Sequence, residues 1–143
     1  MEGLGRLFNV HYPADDDYVS LENASAVTFF IYEVDGATSV TITTSDDAAG
    51  SDTATGDLVS RWYERSVDQN DGVWIEKTQV ASETFTPTDV TGDLAAVTIH
   101  AAQLPDGHKY VKANADTASP VVFAVLHDLT VQRAPQNLKS VIA

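Results

Sequence analysis

The sequence predicts a mainly-β fold: a single-domain antiparallel β-sandwich or small barrel, jelly-roll-like, with little helix. Three observations predict it. Short runs rich in β-branched and aromatic residues recur along the chain, several of them alternating apolar with polar positions, the period of a half-buried strand. Turn signals built on Gly, Pro, Asp and Asn separate these runs. The acids are also chosen for turns, since Asp outnumbers Glu by 15 to 6 and Asp disfavours helix interiors.

The elements follow in order. Residues 1–25 open with a short apolar patch (Leu4, Leu7, Phe8, Val10) and continue through "HYPADDDYVSLENAS". Three consecutive aspartates repel one another and resist burial, so an exposed arm and acidic loop are expected. "AVTFFIYEV" (26–34) reads as a strand covered on both faces near Phe29–Ile31. "VDGATS" supplies a turn with Asp35-Gly36 at its tip. "SVTITTS" (39–45) alternates, with Val40 and Ile42 one way and Thr41 and Thr43 the other. Together these two segments read as a hairpin.

"DLVSRWYERSV" (57–67) fits either a helical or a strand face. The strand reading is preferred because "DQNDG" (68–72) then makes a tight connection into the alternating run "VWIEKTQVA" (73–81). "SETFTPTDVTGD" (82–93), Thr-rich and with Pro87, is expected to be an extended excursion or sheet edge. "LAAVTIHAAQL" (94–104) is expected as a strand with Val97 and Ile99 inward, and "PDG" (105–107) as a turn. "HKYVKANA" (108–115) alternates again. After a turn at "DTASP", "VVFAVLHDLTVQR" (121–133) is expected to be the longest apolar strand. The expected organisation is an N-terminal arm and acidic loop (1–25), a β-sandwich domain (26–133) and a C-terminal tail (134–143).

Composition narrows the function. A chain of 143 residues is long enough to bury a real core. Absence of cysteine excludes disulfides, thiolate catalysis and thiolate metal sites. The formal charge is −13, with 11 acids and one base in residues 1–60 and 10 acids and seven bases after that. Such a field repels a polyanion, so no nucleic-acid partner is expected. No apolar run approaches the roughly 20 residues of a membrane helix, and "MEGLGRLFNVHYP" lacks the pattern of a signal peptide. Synthesis in a cytoplasm and no membrane partner are expected.

Catalytic and metal motifs are absent. The acidic stretch "SDDAAGSDTATGD" (45–57) offers Asp46, Asp47, Asp52 and Asp57, but not the ligand order or distal bidentate Glu of a calcium loop. It reads first as a solvated connection. His11, His100, His108 and His127 have no zinc spacing. His127 and Asp128 are strand neighbours and point to opposite faces. There is no G-x-S-x-G and no glycine-rich phosphate cradle. Trp62 and Trp74 offer a sugar-stacking platform or, alternatively, filling between sheets or at an interface. No catalytic residue, metal or cofactor is assigned.

Interaction is the remaining theme. The chain ends, "GLGRLFNV" and "RAPQNLKSVIA", are apolar with isolated basic residues and are suited to cover sheet edges or to reach a neighbouring subunit. Candidate partner contacts are Arg6, Leu7, Phe8, Arg61, Trp62, Arg65, Arg133, Leu138 and Lys139.

Three stretches carry a family resemblance: "GLGRLFNV" ahead of the first strand, "AVTFFIYEVDGATSVTITTSDDAAG", and "HKYVKANADTASPVVFAVLHDLTVQRAP" with its closing Arg-x-Pro. In these the chain resembles small virion structural proteins of tailed bacteriophages, of the head-decoration or capsid-cement type. The resemblance implies a non-enzymatic β-fold on the outer capsid surface, bound to the major capsid protein lattice and often homo-oligomeric, as a trimer for example. A tail tube, terminator or fibre-associated component is the alternative within virions. A carbohydrate- or Ca²⁺-binding β-sandwich module is the alternative outside them.

Overall fold

The computed structural model describes residues 10–12, 15–34, 38–65, 73–88, 93–117 and 120–129. Eleven strands lie in these segments: β1 (Val10–His11), β2 (Val19–Ser20), β3 (Ala24–Val34), β4 (Val40–Ser45), β5 (Thr53–Ala54), β6 (Val59–Arg65), β7 (Ile75–Ser82), β8 (Thr84–Phe85), β9 (Asp93–His100), β10 (Tyr110–Ala115) and β11 (Val121–Leu129). They form a β-sandwich. The larger sheet has the order β1-β11-β3-β9-β6-β7, and the smaller has β2-β10-β4-β5 with β8 also on β4. All strand pairs are antiparallel.

The alternation in the sequence becomes the core. Val27, Phe29 and Ile31 of β3, Ala95, Val97 and Ile99 of β9, and Val122, Ala124 and Leu126 of β11 are buried between the sheets. They meet Val40 and Ile42 of β4, Val111 and Ala113 of β10, and Phe85 of β8 in one apolar cluster. Removing such aliphatic and aromatic surface from water is the main drive for folding, at about 25 cal/mol per Å². Val97 and Ile99 point inward as their alternation predicts. β9 stops at His100, where the backbone N–H donates to Gln103 Oε1 (2.9 Å) and a single 3₁₀ turn, Ala101–Gln103, begins. The expected strand over 94–104 is therefore shorter at its C-terminal end. Gly107 takes φ +87° in the turn after Pro105, a conformation glycine adopts without steric cost.

The expected hairpin of 26–34 with 39–45 does not form. β3 pairs with β11 and β9, whereas β4 pairs with β10, β5 and β8 in the opposite sheet. The chain crosses between sheets here, and crosses again between β10 and β11. The two crossings are fastened side by side. Ser39 N–H donates to Asp116 Oδ1 (2.7 Å), Asp116 N–H donates to Ser39 O (3.0 Å), and the Thr38 and Thr117 hydroxyls share a hydrogen bond of 2.9 Å. The expected β6–β7 hairpin is present as an antiparallel pair; its connection at 68–72 and the Asp35-Gly36 tip lie outside the described residues. β3, at 11 residues, is longer than β11, at nine among the described residues. The sandwich also reaches back before residue 26, since β1, β2 and the first two residues of β3 belong to its sheets.

The acidic loop at Asp15–Asp17 is docked onto the edge of β10. Asp16 N–H donates to Ala113 O (3.0 Å), and Asp15 Oδ1 accepts from Ala115 N–H (3.0 Å). Asp16, at φ +59°, also pairs with Lys112. The expected exposed loop thus finishes the edge that β2 starts.

Candidate interaction face

The two outer faces of the sandwich differ in chemistry. On the smaller sheet the outward positions include Thr41, Thr43, Lys112 and Asn114, all of them polar and half-buried. On the larger sheet they include the aromatic and aliphatic Phe30, Tyr32, Tyr63, Leu94 and Phe123, beside the polar Thr28, Thr98 and His127 and the charged Arg61, Arg65 and Glu76. Strand register fixes the rows. Phe123, Phe30, Ala96, Tyr63 and Glu76 lie side by side across β11, β3, β9, β6 and β7. Val121, Tyr32, Leu94 and Arg65 form the next row.

Tyr12, just beyond β1, stacks on Phe123 with ring centroids 4.9 Å apart. Trp74, just ahead of β7, packs edge-on against Phe30 at 6.5 Å, and the small Ala96 between their strands leaves room for that reach. Tyr12, Tyr32, Tyr63, Trp74 and Phe123 are all exposed. A water-facing sheet surface is ordinarily polar, so five exposed aromatic rings on one face mark a surface built for contact.

The electrostatics of this face are unlike those of the chain as a whole. Its charged positions in β6 and β7 are Arg61, Arg65 and Glu76. Glu76 is neutralised locally, accepting from the Tyr63 hydroxyl (3.1 Å) and lying 3.8 Å from Arg61 Nε. Arg65 is exposed. In a chain of formal charge −13, the part of this face formed by the described residues of β6 and β7 carries two cations and one anion. Six strands about 4.8 Å apart make it about 24 Å wide, and up to four outward positions on its longer strands make it about 20 Å long, on the order of 500 Å² at most.

The sequence-level candidates separate as follows. Arg61 and Arg65 lie on this face and are exposed. Trp62 points the other way. It is 7% exposed, packs on Phe85 at 5.3 Å, and its ring is not available to a partner. The pairing of Trp62 and Trp74 as one sugar platform fails for the same reason, because the two indoles lie on opposite faces of the sheet. Arg6, Leu7, Phe8, Arg133, Leu138 and Lys139 lie outside the described residues. Sequence reasoning missed Tyr12, Tyr32, Tyr63 and Phe123 as surface residues. The signal was present in the alternation: if Phe29 and Ile31 face the core, Phe30 and Tyr32 must face away.

The acidic stretch 45–57 folds around its own backbone. Asp47 Oδ1 accepts from Ser51 N–H (2.9 Å). Hydrogen bonds from the Ser51 hydroxyl first, and then from its backbone N–H, hold the Asp47 carboxyl below the usual carboxylate range. Gly50, at φ +72°, lies against the Tyr18 ring. Among the described residues, no three His, Asp or Glu side chains converge in a way that would hold a metal ion. His127 Nε2 is hydrogen-bonded to Thr28 Oγ1 (2.6 Å), which in turn meets Thr98 Oγ1 (2.7 Å). Asp128 instead accepts from Ser25 Oγ (3.3 Å), so the two neighbours serve different partners. No helix among the described residues is long and apolar enough to cross a membrane.

Comparison with protein-family models, curated proteins and solved structures finds no match for this chain.

Proposed function

We propose that this protein is a non-enzymatic structural component of a tailed-phage virion, and that it attaches to the outer surface of the capsid through the outer face of its larger sheet. The observation that carries the attachment surface is the group of five exposed aromatic rings, flanked by two arginines, on one face of a strongly acidic sandwich. The assembly it attaches to is taken from the resemblance to head-decoration proteins. The size of the face fits a repeated weak contact. On the order of 500 Å² is less than the roughly 800 Å² per partner of a standard stable interface, so one copy alone binds weakly. A lattice that presents the same site many times compensates through avidity.

The test is co-sedimentation of the purified protein with shells assembled from the major capsid protein of the same genome. Wild-type protein is expected to pellet with shells. Tyr12→Ala combined with Trp74→Ala is expected to reduce occupancy at least ~10-fold while keeping a cooperative melt. Full occupancy by that variant contradicts the assignment of the face. Gold labelling of particles distinguishes head from tail, and label on the tail transfers the attachment to a tail protein.

A further inference from the structure

We infer, resting on the attachment surface proposed above, that Phe30 and Ala96 are positioning residues for that attachment. Together they form a seat that holds the Trp74 indole down on the outer face of the larger sheet before any partner arrives.

Three observations define the seat. The strand order β3-β9-β6-β7 places Trp74, at the head of β7, about 14 Å from β3 by strand spacing. Yet its ring centroid lies 6.5 Å from that of Phe30, a contact that closes only if the indole lies down across β6 towards β9. Ala96 sits between them in the row, opposite Phe30 on one side and Tyr63 on the other. It is on the outer face and outside the core cluster, but only 8% exposed, so it is covered from outside. Trp74 itself is 39% exposed, whereas Val73, Ile75 and Val80, along the same strand and its lead-in, are 59%, 53% and 91%. The indole is withdrawn from water where its neighbours are not.

The residue choices fit that purpose. Alanine is depleted in strands, and Ala96 occupies the outer face of a strand flanked by β3 and β6, where a larger side chain would pack without touching the core. A methyl there leaves the floor low enough for an indole to lie on. Phe30 supplies the edge contact, at an interplanar angle of 61°, the geometry in which the positive edge of one ring meets the negative face of the other. The chain has two tryptophans, and Trp62 is buried, so Trp74 is the indole available to a partner. Tryptophan is among the residues most enriched at the energetic centres of interfaces. A side chain ordered beforehand spares the complex the entropy of immobilising it.

Fluorotryptophan labelling gives one fluorine NMR line from Trp62 and one from Trp74, assigned with Trp74→Phe. Ala96→Leu raises the floor of the seat, and Phe30→Ala removes its wall. Each is expected to move the Trp74 line to its position in urea-unfolded protein. The Trp62 line should stay in place and report an intact core. Each variant is also expected to weaken affinity for capsid shells by about 2- to 10-fold. Phe30→Tyr keeps the ring and is expected to keep both the line and the affinity. An unmoved Trp74 line in either Ala96→Leu or Phe30→Ala overturns the seat, and a moved line with wild-type affinity overturns its role in attachment. Failure of the attachment surface itself is a distinct result: the variant combining Tyr12→Ala with Trp74→Ala then coats shells fully, whatever the fluorine lines report.

Discussion

The indole Nε1 of Trp62 donates to Oε1 of Glu64 at 2.6 Å, and both side chains are buried on the inner face of β6. The same carboxylate oxygen accepts the backbone N–H of Thr88 (3.0 Å), and Lys77 Nζ lies 3.7 Å from the other. A buried carboxylate is tolerated because its oxygens are supplied with donors and a nearby cation. The arrangement ties the segment after β8 to the larger sheet at the corner where the chain leaves one sheet for the other. Replacing Glu64 by Ala strands the indole N–H and the Thr88 N–H together. A loss of about 2–4 kcal/mol is expected in urea unfolding, with a smaller loss for Glu64→Gln, which keeps one acceptor oxygen. Wild-type stability in Glu64→Ala would remove this role.

The two tryptophans are expected to separate in energetics as they do in space. Trp62→Ala opens a cavity against Phe85 and should cost about 3–5 kcal/mol. Trp74→Ala gives up an edge contact with Phe30 on an exposed face and should cost about 1 kcal/mol. Equal losses in chemical denaturation would mean that Trp74 is as much a core residue as Trp62.

Gly50 anchors the acidic connection. Its φ of +72° disfavours any side chain, and a Cβ there would lie 2.8 Å from Tyr18 Cε2. Gly50→Ala is expected to destabilise by about 1–3 kcal/mol. Gly107→Ala serves as the comparison, since it shares the positive φ but meets no atom within 4 Å; it should cost less. Thermal melts of the two variants measure the difference, and a Gly50→Ala melt equal to that of Gly107→Ala would exclude the Tyr18 contact as a cause.

Acidification should weaken the fold in two separate ranges. Burial holds His11 below its ordinary value of 6.5, so folding favours the neutral ring. That contribution is complete above 6.5 and is lost as pH falls towards the lower folded value, because the unfolded chain takes up the proton first. Asp47 acts at more acid pH. Its folded value lies below 3.8, so its contribution holds above 3.8 and is lost as pH falls through the folded value. The His11 range is checked by comparing melts of wild type and His11→Gln between about pH 7.5 and pH 5.5. The variant should lose less stability on acidification; identical slopes would remove His11 as a source.

Much of the fold was legible because burial leaves a period-2 trace. Val40 and Ile42, Val97 and Ile99, and the apolar run of β11 all face the core as their alternation requires. The pairing of strands was less legible. "AVTFFIYEV" and "SVTITTS" have the same pattern whether they fold into a hairpin or cross between sheets, because each presents one apolar face to the core in both cases. What decides between them is non-local: the Ser39–Asp116 and Thr38–Thr117 bonds span 77 and 79 residues. The direction of Trp62 was hidden likewise, since strand alternation alone does not say which face of β6 is inner. Glu64, two residues before the polar stretch "SVDQNDG", gives no local sign that it is buried. The aromatic face was written in β3 and β11 as the residues between the core positions, Phe30, Tyr32 and Phe123.

The central claim is that the outer face of the larger sheet is the surface by which this protein attaches. Oxidative side-chain footprinting of the protein, free and bound to capsid shells, tests it most directly. Tyr12, Tyr63 and Trp74 are expected to become protected on binding, while Tyr110 on the smaller sheet keeps its free reactivity. Protection of Tyr110, with Tyr12, Tyr63 and Trp74 as reactive as in the free protein, would contradict the account.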